Sequence, residues 1–499
     1  MGLRLASYPL FVVLMGAGAL AMLVPALHAH ALSDFPTARA FFYAMILCLM
    51  VTTLLALATK GHRPRNQARS HLLTLFAAYG LLPLMLALPF YEASPRASYL
   101  DAWFEMVSSI TTTGATLWDN PRDIAPTLHL WRAIVAWLGG FLVWVSAVAI
   151  LAPLNLGGFE VVGDSGSARS LNGIAQVSDP SERIARYAQR LVPIYGGITL
   201  ALSLALMVAG DPALVAFSHA MGIISTSGIS PIGGVHWGNS GIIGEVVMVA
   251  CLIFGLSRVT FWGTISLTGR SPWREDVELR LGIGLVVLAS LVLFARYAFL
   301  QNLHGWGEWF RSGWGIFFTV ASFLTTTGYE SRAWFDSVFA TGLQPPGMAL
   351  LGMALIGGGV ATTAGGVRLL RIYALIRHGQ RETERLLHPS SLGGSGHEAR
   401  RIRRHGAQIA WVFLMLSVLA VMGVLLALSL TGVQFETAFV LTIAAITTTG
   451  NLATVAAVSP ISYDGLPEAA QMILGAAMVL GRLEILALIA LLNPNFWRG

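Results

Sequence analysis

Four short segments of this chain share one pattern: Ser109-Ile110-Thr111-Thr112-Thr113-Gly114, Ile224-Ser225-Thr226-Ser227-Gly228-Ile229, Leu324-Thr325-Thr326-Thr327-Gly328-Tyr329 and Ile446-Thr447-Thr448-Thr449-Gly450-Asn451. Each is a hydroxyl-rich run that closes on a glycine, and each follows an apolar stretch too short to cross a bilayer, which takes about 20 helical residues. The copies lie roughly a hundred residues apart, far beyond a solenoid period but right for a unit of two spanning helices with a loop between them. Backbone that is neither helix nor closed sheet is tolerated at membrane depth only where it is buried in protein or lines a water-filled cavity. Four such segments therefore point to one shared cavity, with the rest of the chain holding them about a common axis.

The membrane setting follows from composition: 55% of the 499 residues are hydrophobic and only 11% charged, against about a quarter charged in a soluble domain. Cys48 and Cys251 both sit in apolar runs, so neither a disulfide framework nor a thiolate metal site is expected. The net charge of +6 does not mark a nucleic-acid surface, because 21 of the 31 Lys and Arg fall in four segments. These are Lys60 to Arg69, Arg169 to Arg190, Arg258 to Arg280 and Arg368 to Arg404. Loops that hold cations stay cytoplasmic, so the four segments mark the inner face and place both termini there.

In order, the chain divides into an N-terminal helix pair (1–70) and four pore repeats at 71–155, 156–265, 266–376 and 377–499. The fold expected is an all-α integral membrane protein, each repeat running helix, pore half-helix, loop, helix. That amounts to about ten spanning helices and four half-helices. The half-helices are Asp101 to Ile110, capped by Asp101; one opened by Asp211 as cap with Pro212 at its first position; Trp309 to Phe323; and Phe435 to Ile446. The first apolar run, Leu10 to Leu27, precedes Ala29-His30-Ala31, which has the look of a signal-peptidase site. The run exceeds the usual ~7–15 residues of a cleaved signal, so a retained helix is expected. The polar stretch Arg377 to Arg404 reads as a cytoplasmic loop or as a docking surface for a cytosolic partner.

A dehydrated alkali ion needs a cage of oxygens, which backbone carbonyls and threonine hydroxyls supply without the tight binding of a carboxylate ring. Glycine permits the extended or positive-φ backbone that turns successive carbonyls inward, and its missing side chain leaves room for the ion. No acidic residue lies within the four runs, Glu330 coming just after the third, and this favours a monovalent cation over calcium. Half-helix C-termini aimed at the axis add partial negative charge. The ion-binding candidates are Thr112, Thr113, Gly114, Thr226, Ser227, Gly228, Thr326, Thr327, Gly328, Thr448, Thr449 and Gly450. One such run alone would read as an ordinary polar helix end.

The sequence here resembles the Trk/Ktr/HKT superfamily of potassium transporters, in particular its bacterial Trk-type members, over nearly its whole length. The resemblance rests on the four loops, the extra N-terminal helix pair, the stretch Ile356-Gly357-Gly358-Gly359-Val360-Ala361-Thr362-Thr363-Ala364-Gly365-Gly366-Val367-Arg368, and the ending from Gly481-Arg482-Leu483-Glu484 to Asn495-Phe496-Trp497-Arg498. It implies uptake of K+ across the bacterial inner membrane, without enzyme chemistry or a cofactor, by a homodimer that binds a cytosolic nucleotide-binding regulatory subunit. Glycine at all four loop ends implies K+ preference, since a serine at the first goes with sodium transport in HKT-type relatives.

So many glycines cannot make an uninterrupted helix, each costing about 1 kcal/mol against alanine. Gly357, Gly358, Gly359, Thr362, Thr363, Gly365 and Gly366 read either as a broken helix, which the resemblance makes a gate loop beneath the filter, or as small-residue packing through Gly357, Ala361 and Gly365. Ala361 and Arg368 stand where the family pattern leads one to expect glycine and lysine. A charge within the last apolar helix is costly, so Arg482 is a functional candidate by default. By resemblance it projects into the pore; the plainer alternative is an ion pair with Glu484 or Glu245. His219 and His304 read as packing or surface residues, and Glu105 and Glu436 as cation-attracting or first-turn residues near the outer mouth. The competing functions are the pore subunit of a potassium-pumping P-type ATPase, a symporter coupled to H+ or Na+, and an inverted-repeat transporter, which the parallel repeats argue against.

Overall fold

The computed structural model describes residues 8–61, 67–152, 158–159, 180–257, 276–300, 306–341, 347–388, 406–457 and 459–483. His304, Glu484, the ending at 495–498, residues 389–404 and much of the second and third basic segments lie outside them. The chain is all helical among the described residues. Seven helices are long and apolar enough to span a bilayer: Leu10–Ala31, Phe35–Ala58, Ser70–Ala93, Pro126–Leu151, Arg183–Val208, Val277–Phe299 and Gly406–Leu430. Of the other three expected spans, Gly241–Leu256 ends at the extended Ser257, Glu468–Leu483 runs up to undescribed residues, and Gly347–Ile356 stops at the glycine-rich stretch.

Burial sorts these helices into layers. The helix Pro126–Leu151 is 83% buried over its most apolar window, whereas Phe35–Ala58 and Gly406–Leu430 are 22% and 17% buried and keep their leucines on an outer, lipid-facing surface. Well-buried helices therefore surround the axis, and poorly buried ones form the rim. The stretch Arg377 to Leu387, read from sequence as the start of a loop, instead continues the helix Leu369–Leu387.

Four half-helices point into the centre: Tyr99–Ile110, Ala213–Ser225, Trp306–Leu324 and Phe435–Ile446. Two of their starts differ from expectation. Ser98, not Asp101, caps the first, with Asp101 in the third position returning a bond to the Ser98 N–H as a capping box. Pro212 is itself the cap residue of the second, because the Asp211 carboxylate is drawn away to accept the N–H groups of Asn239 (2.7 Å) and Ser240 (2.9 Å). It thereby ties the half-helix to the start of its return helix.

Candidate functional site: a ring of four loops

All four half-helices end in the same way, hydrogen bond for hydrogen bond. The first hydroxyl of each run donates back one turn: Thr111 to the Val107 carbonyl (2.7 Å), Ser225 to Met221 (2.7 Å), Thr325 to Ala321 (3.0 Å) and Thr447 to Ile443 (2.7 Å). The second residue is left-handed in every copy, with φ of +56° at Thr112, +54° at Thr226, +58° at Thr326 and +54° at Thr448. The N–H of the third returns five residues, Thr113 to Ser108, Ser227 to Gly222, Thr327 to Ser322 and Thr449 to Ala444, at 2.8–2.9 Å. This is a Schellman end with threonine where glycine is usual. A β-branched residue there is a genuine outlier, costing about 1–2 kcal/mol, and it recurs four times. The sequence marks these threonines as ion-binding candidates, but gives no sign that they share the positive-φ turn with the closing glycines.

The loops close on one another in chain order. A methyl group on Gly114 would overlap the Ser227 carbonyl, one on Gly228 the Thr327 carbonyl, and one on Gly450 the backbone of Ala115; at Gly328 it would stand 3.0 Å from Asn451 Cβ. Loop one thus abuts two, two abuts three, three abuts four, and four returns to one, where the Gly450 N–H donates to the Thr113 carbonyl at 2.6 Å. The Tyr329 hydroxyl also donates to the Ile229 carbonyl (2.6 Å), binding loop three to loop two. All the hydroxyl residues of the runs are at most 2% exposed. The ring therefore gathers Thr112, Thr113, Gly114, Thr226, Ser227, Gly228, Thr326, Thr327, Gly328, Thr448, Thr449 and Gly450. Its main-chain and hydroxyl oxygens are the groups able to hold a dehydrated cation.

The fourth loop departs from the other three. Gly114, Gly228 and Gly328 have φ of +75°, +63° and +78°, but Gly450 is not left-handed and the chain turns at once into the short helix Leu452–Val455. The turn delivers Asn451, a residue sequence reasoning passed over, whose Nδ2 donates to the carbonyls of Gly228 (3.2 Å) and Gly328 (3.0 Å).

On one side of the ring opens a vestibule of ≈ 370 Å³ reached by Gly114, Gly228, Gly450, Asp119 and Arg132. Glu105 does not face it as a cation attractor. Its side chain is fully buried, paired with Arg132 at 2.6 Å, and accepts the Leu117 N–H at 2.8 Å. Glu436 is exposed, at the start of the fourth half-helix. His219 is buried and bonded to the Ser230 hydroxyl (2.9 Å), a packing residue. His236, in the turn after loop two, stacks on Phe335 at 4.3 Å; burial holds its pKa down to about 4 against the pull of Asp336, so it is neutral at pH 7.

Behind the ring, the helix Gly347–Ile356 breaks and resumes at Leu369. Residues between them lie against the ends of three half-helices. The Gly365 N–H donates to the Thr326 hydroxyl (2.8 Å), the Thr363 hydroxyl to the Ile224 carbonyl (3.2 Å), and a methyl at Gly365 would overlap the Thr447 carbonyl. Gly358 and Gly359 pack on the Gly255 and Leu256 carbonyls, where the Thr362 hydroxyl also bonds Gly255 (3.1 Å). Gly357 and Gly366 are left-handed, and so are Ala361 (+57°) and Arg368 (+81°). The two departures from the family pattern thus fall on strained backbone. Arg482 is 7% exposed and shares a cavity of ≈ 20 Å³ with Tyr79 and Arg368. Glu245 is not its partner, being engaged by Trp314 (2.8 Å), the Ser331 hydroxyl (2.9 Å) and the Arg332 N–H (3.0 Å).

Comparison with known proteins gives this architecture a family. The family model described as "TrkH: Cation transport protein" matches residues 37–233 and 312–498. The Trk system potassium uptake proteins TrkH of Salmonella typhimurium and of Escherichia coli K12 are each 30% identical over 483 residues, covering 96% of both chains. The crystal structure of the potassium transporter TrkH from Vibrio parahaemolyticus superposes with a TM-score of 0.84 at 25% identity, covering 99% of each chain. By these matches, the chain belongs to the TrkH family of cation transport proteins and is a membrane transporter, not an enzyme.

Proposed function

We propose that this protein takes up K+ across the bacterial inner membrane, moving it down its electrochemical gradient through the four-loop ring. The observation that carries this reading is the closure of the four loops in chain order, each packed against the next. Such a ring replaces the water shell of an alkali ion, while the half-helix C-termini behind it supply partial negative charge. Relatives covering almost the whole chain are potassium uptake proteins. The twelve loop residues are the ion-binding set. The segment Gly357 to Gly366 acts as the gate, because it lies against three half-helix ends and offers mostly backbone and hydroxyls there. Arg482 adds a positive charge that opposes cations while the gate is closed.

The relatives belong to a named Trk system, which supports a multi-component assembly. We include in the proposal a homodimer and a cytosolic nucleotide-binding regulatory subunit, with both termini cytoplasmic. The test is growth of a potassium-uptake-deficient bacterium at low external K+. The wild-type chain is expected to rescue growth and Gly114→Ser to fail, because a side chain at φ +75° would overlap the Ser227 carbonyl. No rescue by wild type with membrane expression confirmed would overturn the assignment.

A further inference from the structure

Three of the four closing-glycine carbonyls are already engaged by side-chain donors. Asn451 Nδ2 bonds those of Gly228 and Gly328 at 3.2 and 3.0 Å, and the Tyr463 hydroxyl bonds that of Gly450 at 3.0 Å. Among the described residues, the Gly114 carbonyl receives no such bond. The residues that follow the other glycines are Ala115, Ile229 and Tyr329, none of which carries an amide side chain. Only loop four, by leaving the left-handed glycine geometry and turning into Leu452–Val455, swings an amide back across the ring. The contact spans 223 residues of chain to Gly228 and 123 to Gly328.

We propose that Asn451 is a specificity-determining residue, a latch that joins loops two, three and four and tunes the outer carbonyl ring toward K+. The inference rests on the reading of the ring as the ion path. A carbonyl that accepts an amide N–H keeps one lone pair for an ion, but the partial positive charge of that N–H lowers the field the ion feels, and the bond fixes the carbonyl's direction. Selection for K+ over the smaller Na+ is attributed either to cavity size or to the field strength of the coordinating carbonyls. Asn451 acts on both terms with the same sign: it keeps the ring from contracting, and it lowers the field that would favour Na+.

The experiment uses the full chain reconstituted in liposomes, with Na+ competition against Rb+ or K+ flux as readout. The loss of both hydrogen bonds is expected to lower the K+/Na+ ratio by up to about thirtyfold, the equivalent of about 2 kcal/mol. Asn451→Ala and the near-isosteric Asn451→Asp, which keeps the shape but not the donor, are both expected to show it. Tyr463→Phe, which frees the Gly450 carbonyl from a residue outside the latch, is expected to shift the ratio less and in the same direction. It remains informative should either Asn451 variant fail to assemble. An unchanged ratio in Asn451→Asp together with a lowered one in Asn451→Ala would mean packing, not donation, and would overturn the proposal; so would unchanged ratios in all three. Absence of K+ flux in the wild type would instead sink the functional reading itself.

Discussion

The buried pair behind the first loop offers a quantitative test of how the ring is braced. Glu105 lies mid-way along the first half-helix with its side chain 0% exposed, Arg132 lies on the return helix at 4%, and their charged atoms are 2.6 Å apart. The second Glu105 oxygen accepts the N–H of Leu117, on the segment leaving Gly114. One carboxylate therefore fixes loop one both to its half-helix and to the return helix. Removing one partner of such a pair strands the other charge in a low-dielectric setting, at about 3–5 kcal/mol. In Arg132→Met the charge left behind is the Glu105 carboxylate, which can neutralise by taking up a proton, so this variant is expected near the lower end. Glu105→Ala should be worse: besides stranding the guanidinium, it leaves the Leu117 amide without its acceptor, adding about 1–3 kcal/mol.

The double variant Glu105→Leu with Arg132→Met removes both charges and replaces them with apolar volume, so it should be more stable than either single variant. The assay is thermal unfolding of the detergent-purified protein by intrinsic tryptophan fluorescence, run as a double-mutant cycle closed by the single variant Glu105→Leu. The expected order of melting temperature is wild type, then double variant, then Arg132→Met, then Glu105→Ala. An Arg132→Met protein that melts with the wild type, or a double variant that equals the sum of the singles, would refute the view of this pair as a desolvated brace.

Two further predictions concern the proposed gate. Arg482→Ala removes a buried charge facing Tyr79 and Arg368, and is expected to raise basal cation flux in liposomes lacking any cytosolic partner; unchanged flux would remove its role. Gly365→Ala places a methyl group into the Thr447 carbonyl, so the loop cannot seat under the ring and basal flux should rise as well. Gly379→Ala, with open space around it, is the silent control.

Much of the fold is legible because hydropathy and length are one-dimensional signals. Phe435–Ile446 stands where its apolar run and the following hydroxyls put it, and the third half-helix starts at Trp306 rather than Trp309 and ends at Leu324 rather than Phe323. Some of what was missed was present in the sequence. Ser98-Tyr99-Leu100-Asp101 has the spacing of a capping box, which marks Ser98 as the cap. The residue two before each glycine is threonine in all four runs, whereas its neighbours become serine in the second. That constancy singles out the left-handed position, against threonine's own conformational preference, because the close-packed ring imposes the turn on whatever residue stands there. The bonds of Asn451 carry no local signal at all. They depend on loop four breaking the pattern of the others, and a single chain permits this where four identical subunits would not: each loop can keep the shared helix end while one of them alone supplies the side chain that ties its neighbours together.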